Sequence, residues 1–503
     1  MKAKVVLWLL ALGAAHPPKM AAQPAGAFAV TGDMNARRFF HTATLLTDGR
    51  VLIAGGDTIE AAGGIPIPFK ALSSAEIYDP GTGVFTPTGS MTTPRGSHTS
   101  TLLPNGKVLI AGGGLANQAI GSLADPTLAS AELYDPDTGT FSPTGNMTTA
   151  RSFHSAVLLS NGRVLIAGGL QGPAGGLLAA AELYDPSTGT FTPTGNMTSP
   201  WADTATLLPN GKVLFTTGNP EGPPPYLSSA ELYDPSLGTF AFVGYLTANH
   251  TAPTATLVAS GKVLIAGGDV GDGDGASFLA ELYDPTAGTS FSAGSLTVGR
   301  EQHSATLLSD GTVLFAGGHS SIEFAASTEI FDPLKAASTR TGNMHTAREL
   351  HSATLLNDGR VLIAGGDGES YWFPETILSS AELYTPANVV PAPTLPSLSG
   401  DGKGQGAVWH SATGVIASSQ NPAGAGEILS MYTTSLAKGG AVPPQVAVGG
   451  KLAEILFFAG APGYPGYFQV NFRMPEGVAP GTAVLVRLNY LGRTSNAVTI
   501  GVQ

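Results

Sequence analysis

Cysteine is absent from the 503-residue chain, which removes disulfides, thiolate metal sites and cysteine nucleophiles together. Charge is scarce as well, at 12% of residues, and no cluster of Lys and Arg follows residue 20. With a formal charge of −12 and no basic face to neutralise phosphates, nucleic acid is excluded from the expected partners. No apolar stretch beyond the N-terminus reaches membrane length, so no transmembrane segment is expected in the mature chain. The one apolar run near the start, Val5 to Ala15, is too short for an ordinary spanning helix. It follows Lys2 and Lys4, with small residues at Gly13 to Ala15 and again at Ala21 and Ala22. That layout predicts a signal peptide over residues 1–22 and a secreted or cell-envelope location. Export without disulfides fits a bacterial envelope or medium.

Glycine, with 67 residues, and proline, with 37, dominate instead, the composition of short strands joined by tight turns. The expected class is all-β. The segment VLIAGG and its variants occurs seven times, its second glycine falling at Gly56, Gly113, Gly169, Gly218, Gly268, Gly318 and Gly366. Successive spacings of 57, 56, 49, 50, 50 and 48 residues match a four-stranded propeller blade. Each repeat supplies a strand a such as HSATLL (His303 to Leu308), then strand b, the VLIAGG run, suited to burial between blades. Strand c reads AELYDP, with its glutamate at Glu76, Glu132, Glu182, Glu231, Glu281, Glu329 and Glu382. Strand d reads FTPTGNM, as at Phe191 to Met197.

The seventh set of strands ends at Pro386 without a d piece, while FAVTGDM (Phe28 to Met34) stands alone before the first a strand. The N-terminal strand is therefore predicted to complete blade seven from outside, sealing the ring and removing open sheet edges. The expected architecture is a seven-bladed β-propeller over residues 26–387, a Pro-rich linker over 388–400 and a β-sandwich over 401–503. The repeat resembles the kelch family, which has a double glycine after an apolar strand and aromatics in the next two strands. This chain carries Phe85, Phe141, Phe191, Phe240 and Phe291 where many kelch repeats have Trp, and Ser338 in blade six.

Five loops between strands d and a place an Arg three residues before a His, at Arg38, Arg95, Arg151, Arg300 and Arg348. Equivalent positions in successive blades lie too far apart to share one metal ion at about 2 Å. Scaffold roles are expected instead: each His bonds a neighbouring backbone group and each Arg forms a partly buried pair with the Glu that opens strand c. The turns joining a to b and c to d are uniform Asn, Asp and Gly turns. The b to c and d to a loops vary, as a binding face on a rigid scaffold does.

The repeat breaks on that variable face. Trp201 and Asp203 replace the Arg and His in blade four, and His250 and Pro253 do so in blade five. Tyr226, His319, Glu369, Tyr371 and Trp372 lie in neighbouring loops, and aromatics beside carboxylates suit a sugar ring or a peptide. Repeat drift and local packing are the plain alternatives for each. Asp269, Asp272 and Asp274 form a weak calcium-loop pattern without EF-hand spacing, and no metal or other cofactor is expected.

After Pro396 come seven alternating segments, from GAVWHSATG to NAVTIGVQ, that suggest an immunoglobulin-like sandwich. GAVWHSATG, NPAGAGEILSMYTTSL and PGYPGYFQVNFRMPEGVAPG resemble a domain found at the ends of exported bacterial proteins. That resemblance implies surface or export association. A kelch propeller followed by such a domain is also similar to galactose oxidase and related copper radical oxidases. Their cofactor needs a Tyr cross-linked to Cys, which this chain cannot make. The expected function is non-catalytic recognition of a protein or polysaccharide through the variable face. The alternatives are a carbohydrate-active hydrolase, with Asp203, Asp269, Asp367 and Glu369 as possible acids, and a galactose oxidase relative lacking the copper-radical site.

Overall fold

A computed structural model of the chain describes residues 26–503 except 60, 63–64, 67–68, 116–125, 173–174, 219–226, 271–274, 321–323, 369–375, 389–392, 437–441, 462–465 and 491–492. Residues 1–22, expected from sequence to be a signal peptide, and the candidates Tyr226, Asp272, Asp274, Glu369, Tyr371 and Trp372 lie outside the described residues.

Seven four-stranded antiparallel sheets form the propeller. Blade three is representative, with strand a at Ser155–Leu158, b at Val164–Ala167, c at Ala181–Asp185 and d at Thr190–Pro193. The a strands of successive blades touch, and Ser352–Leu355 of blade seven touches Thr42–Leu45 of blade one, so the inner ring is closed. Every residue of the four-residue VLIA-type b strands is buried, because each b strand is covered by the sheets on either side. Leu52, Ala54 and Ile77 of blade one, for example, share a core with Val108, Ile110 and Tyr134 of blade two. Each fully buried aliphatic side chain of this kind stabilises the stack by roughly 1.5–3 kcal/mol.

The ends of the propeller meet as the strand count predicts. Ala27–Val30 pairs antiparallel with Ala381–Thr385, placing Phe28 opposite Tyr384 with ring centroids 5.0 Å apart. The amide of Gly32 then donates to the Gly83 carbonyl at 3.0 Å, and Gly89, Gly145 and Gly195 make the same link between their blades. The N-terminal strand thus behaves as an ordinary d strand.

One aromatic position differs from the sequence expectation. Phe85, Phe141, Phe191 and Phe240 face the tyrosine of their c strand, with centroids 4.7–4.8 Å apart. In blade five Ser290 takes that place opposite Tyr283, and Phe291 falls one position later on the exposed side, 4.7 Å beneath the Lys262 ammonium. The Ser290 hydroxyl instead donates to Glu281 at 2.7 Å.

The C-terminal unit is a β-sandwich whose strands run in the order Val408–His410, Ile428–Thr434, Tyr467–Arg473, Lys451–Gly460, Gln445–Val448 and Gly481–Tyr490, with Val498–Val502 also on the last. The ten-residue strand Lys451–Gly460 joins the layers, pairing first with Gln445–Val448 and then with Tyr467–Arg473. Val408, Leu429, Met431, Val446, Val470, Phe472, Val486 and Ile500 fill the core. The unit sits against the a to b turns: Leu452 lines clefts with Leu102 and Leu158 on one side and Leu207 and Leu257 on another.

Candidate functional site: the variable mouth of the propeller

The repeated charges are consumed in the scaffold. Arg38, Arg95, Arg151, Arg300 and Arg348 are fully buried and pair with Glu76, Glu132, Glu182, Glu329 and Glu382 at 2.8, 3.0, 3.2, 2.8 and 3.0 Å. Each guanidinium also donates to the carbonyl of the first glycine of its own b strand, for Arg38 at 2.6 Å to Gly55. Each glutamate accepts backbone amides from the preceding d to a loop, as Glu182 does from Thr148 and Thr149.

The five histidines bond sideways through Nε2. Nε2 of His41, His98, His154, His303 and His351 meets the hydroxyl of Ser352, Thr42, Thr99, Thr254 and Ser304, the first residue of strand a in the preceding blade. The backbone contact expected from sequence is present beside it in four blades, where the backbone of Arg38, Arg95, Arg300 or Arg348 also acts on the ring. Burial, with the nearby arginine charge second, holds all five well below the ordinary histidine range; His154 and His351 lie at about 3. They are neutral in any ordinary medium.

His250 is fully buried, and its ring does the work of the missing arginine: Nδ1 meets the Gly267 carbonyl at 2.8 Å and Nε2 meets Glu281 at 3.0 Å. Both ring nitrogens are occupied, so His250 is scaffold and leaves the ligand-binding set. Burial works to raise the Glu281 carboxyl, but the bonds from His250, Ser290 and Thr247 bring it down to about 2.

Above the histidines lies a mouth whose backbone repeats and whose side chains do not. The residue two after the arginine is left-handed in blade after blade, with φ of 49° at Phe40, 51° at Ser97, 52° at Phe153, 52° at Ala252, 53° at Gln302 and 52° at Leu350. Trp201 has φ of 124°, where the loop from Met197 to Leu208 is one residue shorter than that from Met147 to Leu159. Amides of Ser97, Phe153 and Leu350 link this row to the preceding blade through the carbonyls of Phe40, Ser97 and Gln302. Phe40 and Phe153 meet edge to face across Ser97 at 5.2 Å. Left-handed conformations at bulky residues persist only where the surroundings over-determine them.

Trp201 and Asp203 are brought together there. The indole Nε1 donates to Asp203 at 2.7 Å, and the same carboxylate accepts the amides of Ala252, at 3.1 Å, and Gly218. Burial raises the Asp203 carboxyl above its usual range. His319 is half-buried, 3.3 Å from Glu301 and edge-on to Phe324. Glu301 was missed by sequence reasoning; its signal is an acidic residue directly after the arginine, where blades one to three have Phe39, Gly96 and Ser152. A backbone bridge joins Glu349 to Asp367, and both are buried; another joins Asp269 to Thr251.

No family profile matches the chain, and no curated protein matches it in sequence. Among the solved structures similar to it is a novel fungal alcohol oxidase with catalytic diversity among the AA5 family, in complex with copper. The match has a TM-score of 0.61 and 17% identity and covers 95% of this chain and all of the other. The likeness is one of fold. The donors here do not fit a copper-radical centre: there is no cysteine, the five ring histidines are neutral and tied to hydroxyls, and His410 is held by Glu427 and the Asn421 carbonyl. Among the described residues no three His, Cys, Asp or Glu side chains group to hold a metal ion.

Proposed function

We propose that this protein is an exported, kelch-type binding scaffold that takes a protein or polysaccharide ligand at the variable mouth of its propeller. One observation carries the reading: six equivalent left-handed backbone positions present Phe40, Ser97, Phe153, Ala252, Gln302 and Leu350, with Trp201 in the shorter blade-four loop, so the scaffold repeats its backbone while its side chains differ from blade to blade. The opposite end offers repeated tight turns, and the C-terminal unit already covers part of it. The strand order of that unit, with Val408–His410, Ile428–Thr434, Tyr467–Arg473 and Lys451–Gly460 in one layer and Gln445–Val448, Gly481–Tyr490 and Val498–Val502 in the other, supports an immunoglobulin-like assignment, and the bacterial C-terminal resemblance supports an envelope or extracellular location.

The test is ligand capture by the full chain, on a glycan array and by cross-linking to intact envelopes, with Trp201→Ala and Phe153→Ala as variants. A roughly tenfold or larger loss of capture at unchanged melting temperature is expected. Undiminished capture by both variants overturns the reading, and turnover of a captured polysaccharide converts it to hydrolase. The fold likeness supports a second reading, a galactose oxidase relative that has kept the blades without the copper-radical donors.

A further inference from the structure

The outer face of the C-terminal sandwich carries an aromatic and amide platform that neither the blades nor the sandwich core uses. Strand pairing sets Trp409, Ser430, Asn471 and Phe457 in one row across four strands, an aromatic at each end and two hydrogen-bonding side chains between. The next row holds Tyr432, Gln469 and Ala459, and the one after it Thr434 and Tyr467. Neighbouring residues on each strand point inward: Val408, Leu429, Met431, Val470 and Phe472 are all buried. Three strand spacings separate the end aromatics, roughly 14 Å, the reach of a short oligosaccharide.

The polar groups are fixed in place. Gln469 Nε2 donates to Asn471 Oδ1 at 3.0 Å, and the Ser411 and Ser430 hydroxyls lie 2.7 Å apart. Trp409 packs edge-on against Tyr432 at 5.5 Å, a cross-strand contact that sheet stability alone explains. Phe457 and Tyr467 are different: they are 47% and 43% exposed. Among the described residues of these rows charge appears at one end, where Arg473 Nε donates to Glu454 at 2.8 Å. Beyond that pair the face runs into a cleft of about 810 Å³ shared with Asn105, Arg163 and Asp185 of the propeller.

We propose that this face binds a neutral polysaccharide, its sugar rings stacking on Trp409 and Phe457 and its hydroxyls meeting Ser430, Gln469 and Asn471. The uncharged centre complements an uncharged polymer. Alternating amides and hydroxyls suit a polyhydroxylated chain better than a protein interface, whose core is more apolar. The site is separate from the propeller mouth and stands or falls independently of it.

The experiment is native affinity electrophoresis of the full chain through xylan, mixed-linkage β-glucan or galactomannan, with sedimentation on cellulose and chitin. Retention by at least one polymer is expected, unchanged in about 0.5 M salt, where charge-driven binding is screened. Trp409→Ala and Asn471→Ala should each weaken it roughly tenfold, while Leu334→Ala, in an exposed c to d turn of blade six outside both sites, leaves it intact. If Trp409→Ala lowers the melting temperature, the exposed-face variant Asn471→Ala decides. No retention on any polymer, retention abolished by salt, or full retention by Asn471→Ala overturns the proposal.

Discussion

Blades three and four bury the same carboxylate and hold it differently. In blade three Glu182 meets Arg151 and two backbone amides. In blade four Glu231 accepts the amides of Thr198, at 2.8 Å, and Ser199, at 2.7 Å, and Trp201 supplies no cation. The neighbouring b strands change with it. The first glycine after five of the b strands sits against the histidine of the next blade, as a Cβ on Gly55 would come within 2.7 Å of the His98 ring at a φ of +60°, whereas Gly168, facing the histidine-free blade four, meets Ala202. Blade five has Pro253 in place of that histidine, and blade four accordingly carries Thr217 in place of the glycine, extending its b strand to Val213–Thr217. The loss of one side chain thus permits a bulkier one in the adjacent blade. The pairing is not obligatory, because blade three keeps Gly168 although blade four has Asp203 in place of the histidine.

The largest test of this contrast is pH. A histidine whose folded pKa is depressed leaves the native state with fewer bound protons than the unfolded chain. Its contribution is complete above the unfolded value near 6.5 and is lost as pH falls toward the folded value, about 3 for His154 and His351. Each such ring steepens the fall by up to about 1.4 kcal/mol per pH unit. Asp203 in blade four has the opposite sign, because a raised carboxyl favours the folded state at low pH. His410 in the sandwich also opposes the trend: burial lowers it, but the Glu427 bond leaves it raised, so its contribution is lost as pH rises. Denaturant titrations between pH 4.5 and 6.5 should show stability falling with acid, with a shallower slope in His154→Gln. A flat profile would mean that the regular blades do not hold neutral histidines.

A smaller effect separates the two carboxylates. Glu182→Gln leaves Arg151 buried without its counter-charge and should cost about 3–5 kcal/mol. Glu231→Gln removes charge-assisted bonds from two amides and strands no cation, so about 1.5–3 kcal/mol is expected. Equal urea midpoints for the two variants would dissolve the distinction.

The blades were legible because the repeats meet the same needs: an apolar b strand for burial, a Gly turn, and in five of them a Glu for the Arg. Counting strands located the closing N-terminal segment for the same reason. Phe291 was misplaced because one added residue before it moves the aromatic to the other face, and face alternation is unforgiving of single insertions. The candidate site was only partly legible. Trp201 and Asp203 stand out as breaks in a pattern, but His250 breaks the pattern while preserving its chemistry, which only its bonds to Gly267 and Glu281 reveal. The row Trp409, Ser430, Asn471 and Phe457 depends on strand order, which alternation within each strand does not specify.

The finest distinction lies in the outer half of the blades. Tyr78, Tyr134, Tyr184, Tyr233 and Tyr384 each reach a threonine hydroxyl on the preceding d strand, at 2.8–2.9 Å. Val243 occupies that threonine's place before blade five, and the buried Tyr283 hydroxyl finds no hydrogen-bond partner. Blade six has met the same loss by dropping the hydroxyl, with Phe331 packed on Ala293. Tyr184→Phe should therefore cost about 1 kcal/mol, whereas Tyr283→Phe should be neutral or slightly stabilising, because it removes a polar atom whose burial is uncompensated. Urea midpoints at constant slope measure both. A loss at Tyr283 as large as that at Tyr184 would show that its hydroxyl is bonded after all, and that blade five is more regular in its outer half than its Arg and His positions indicate.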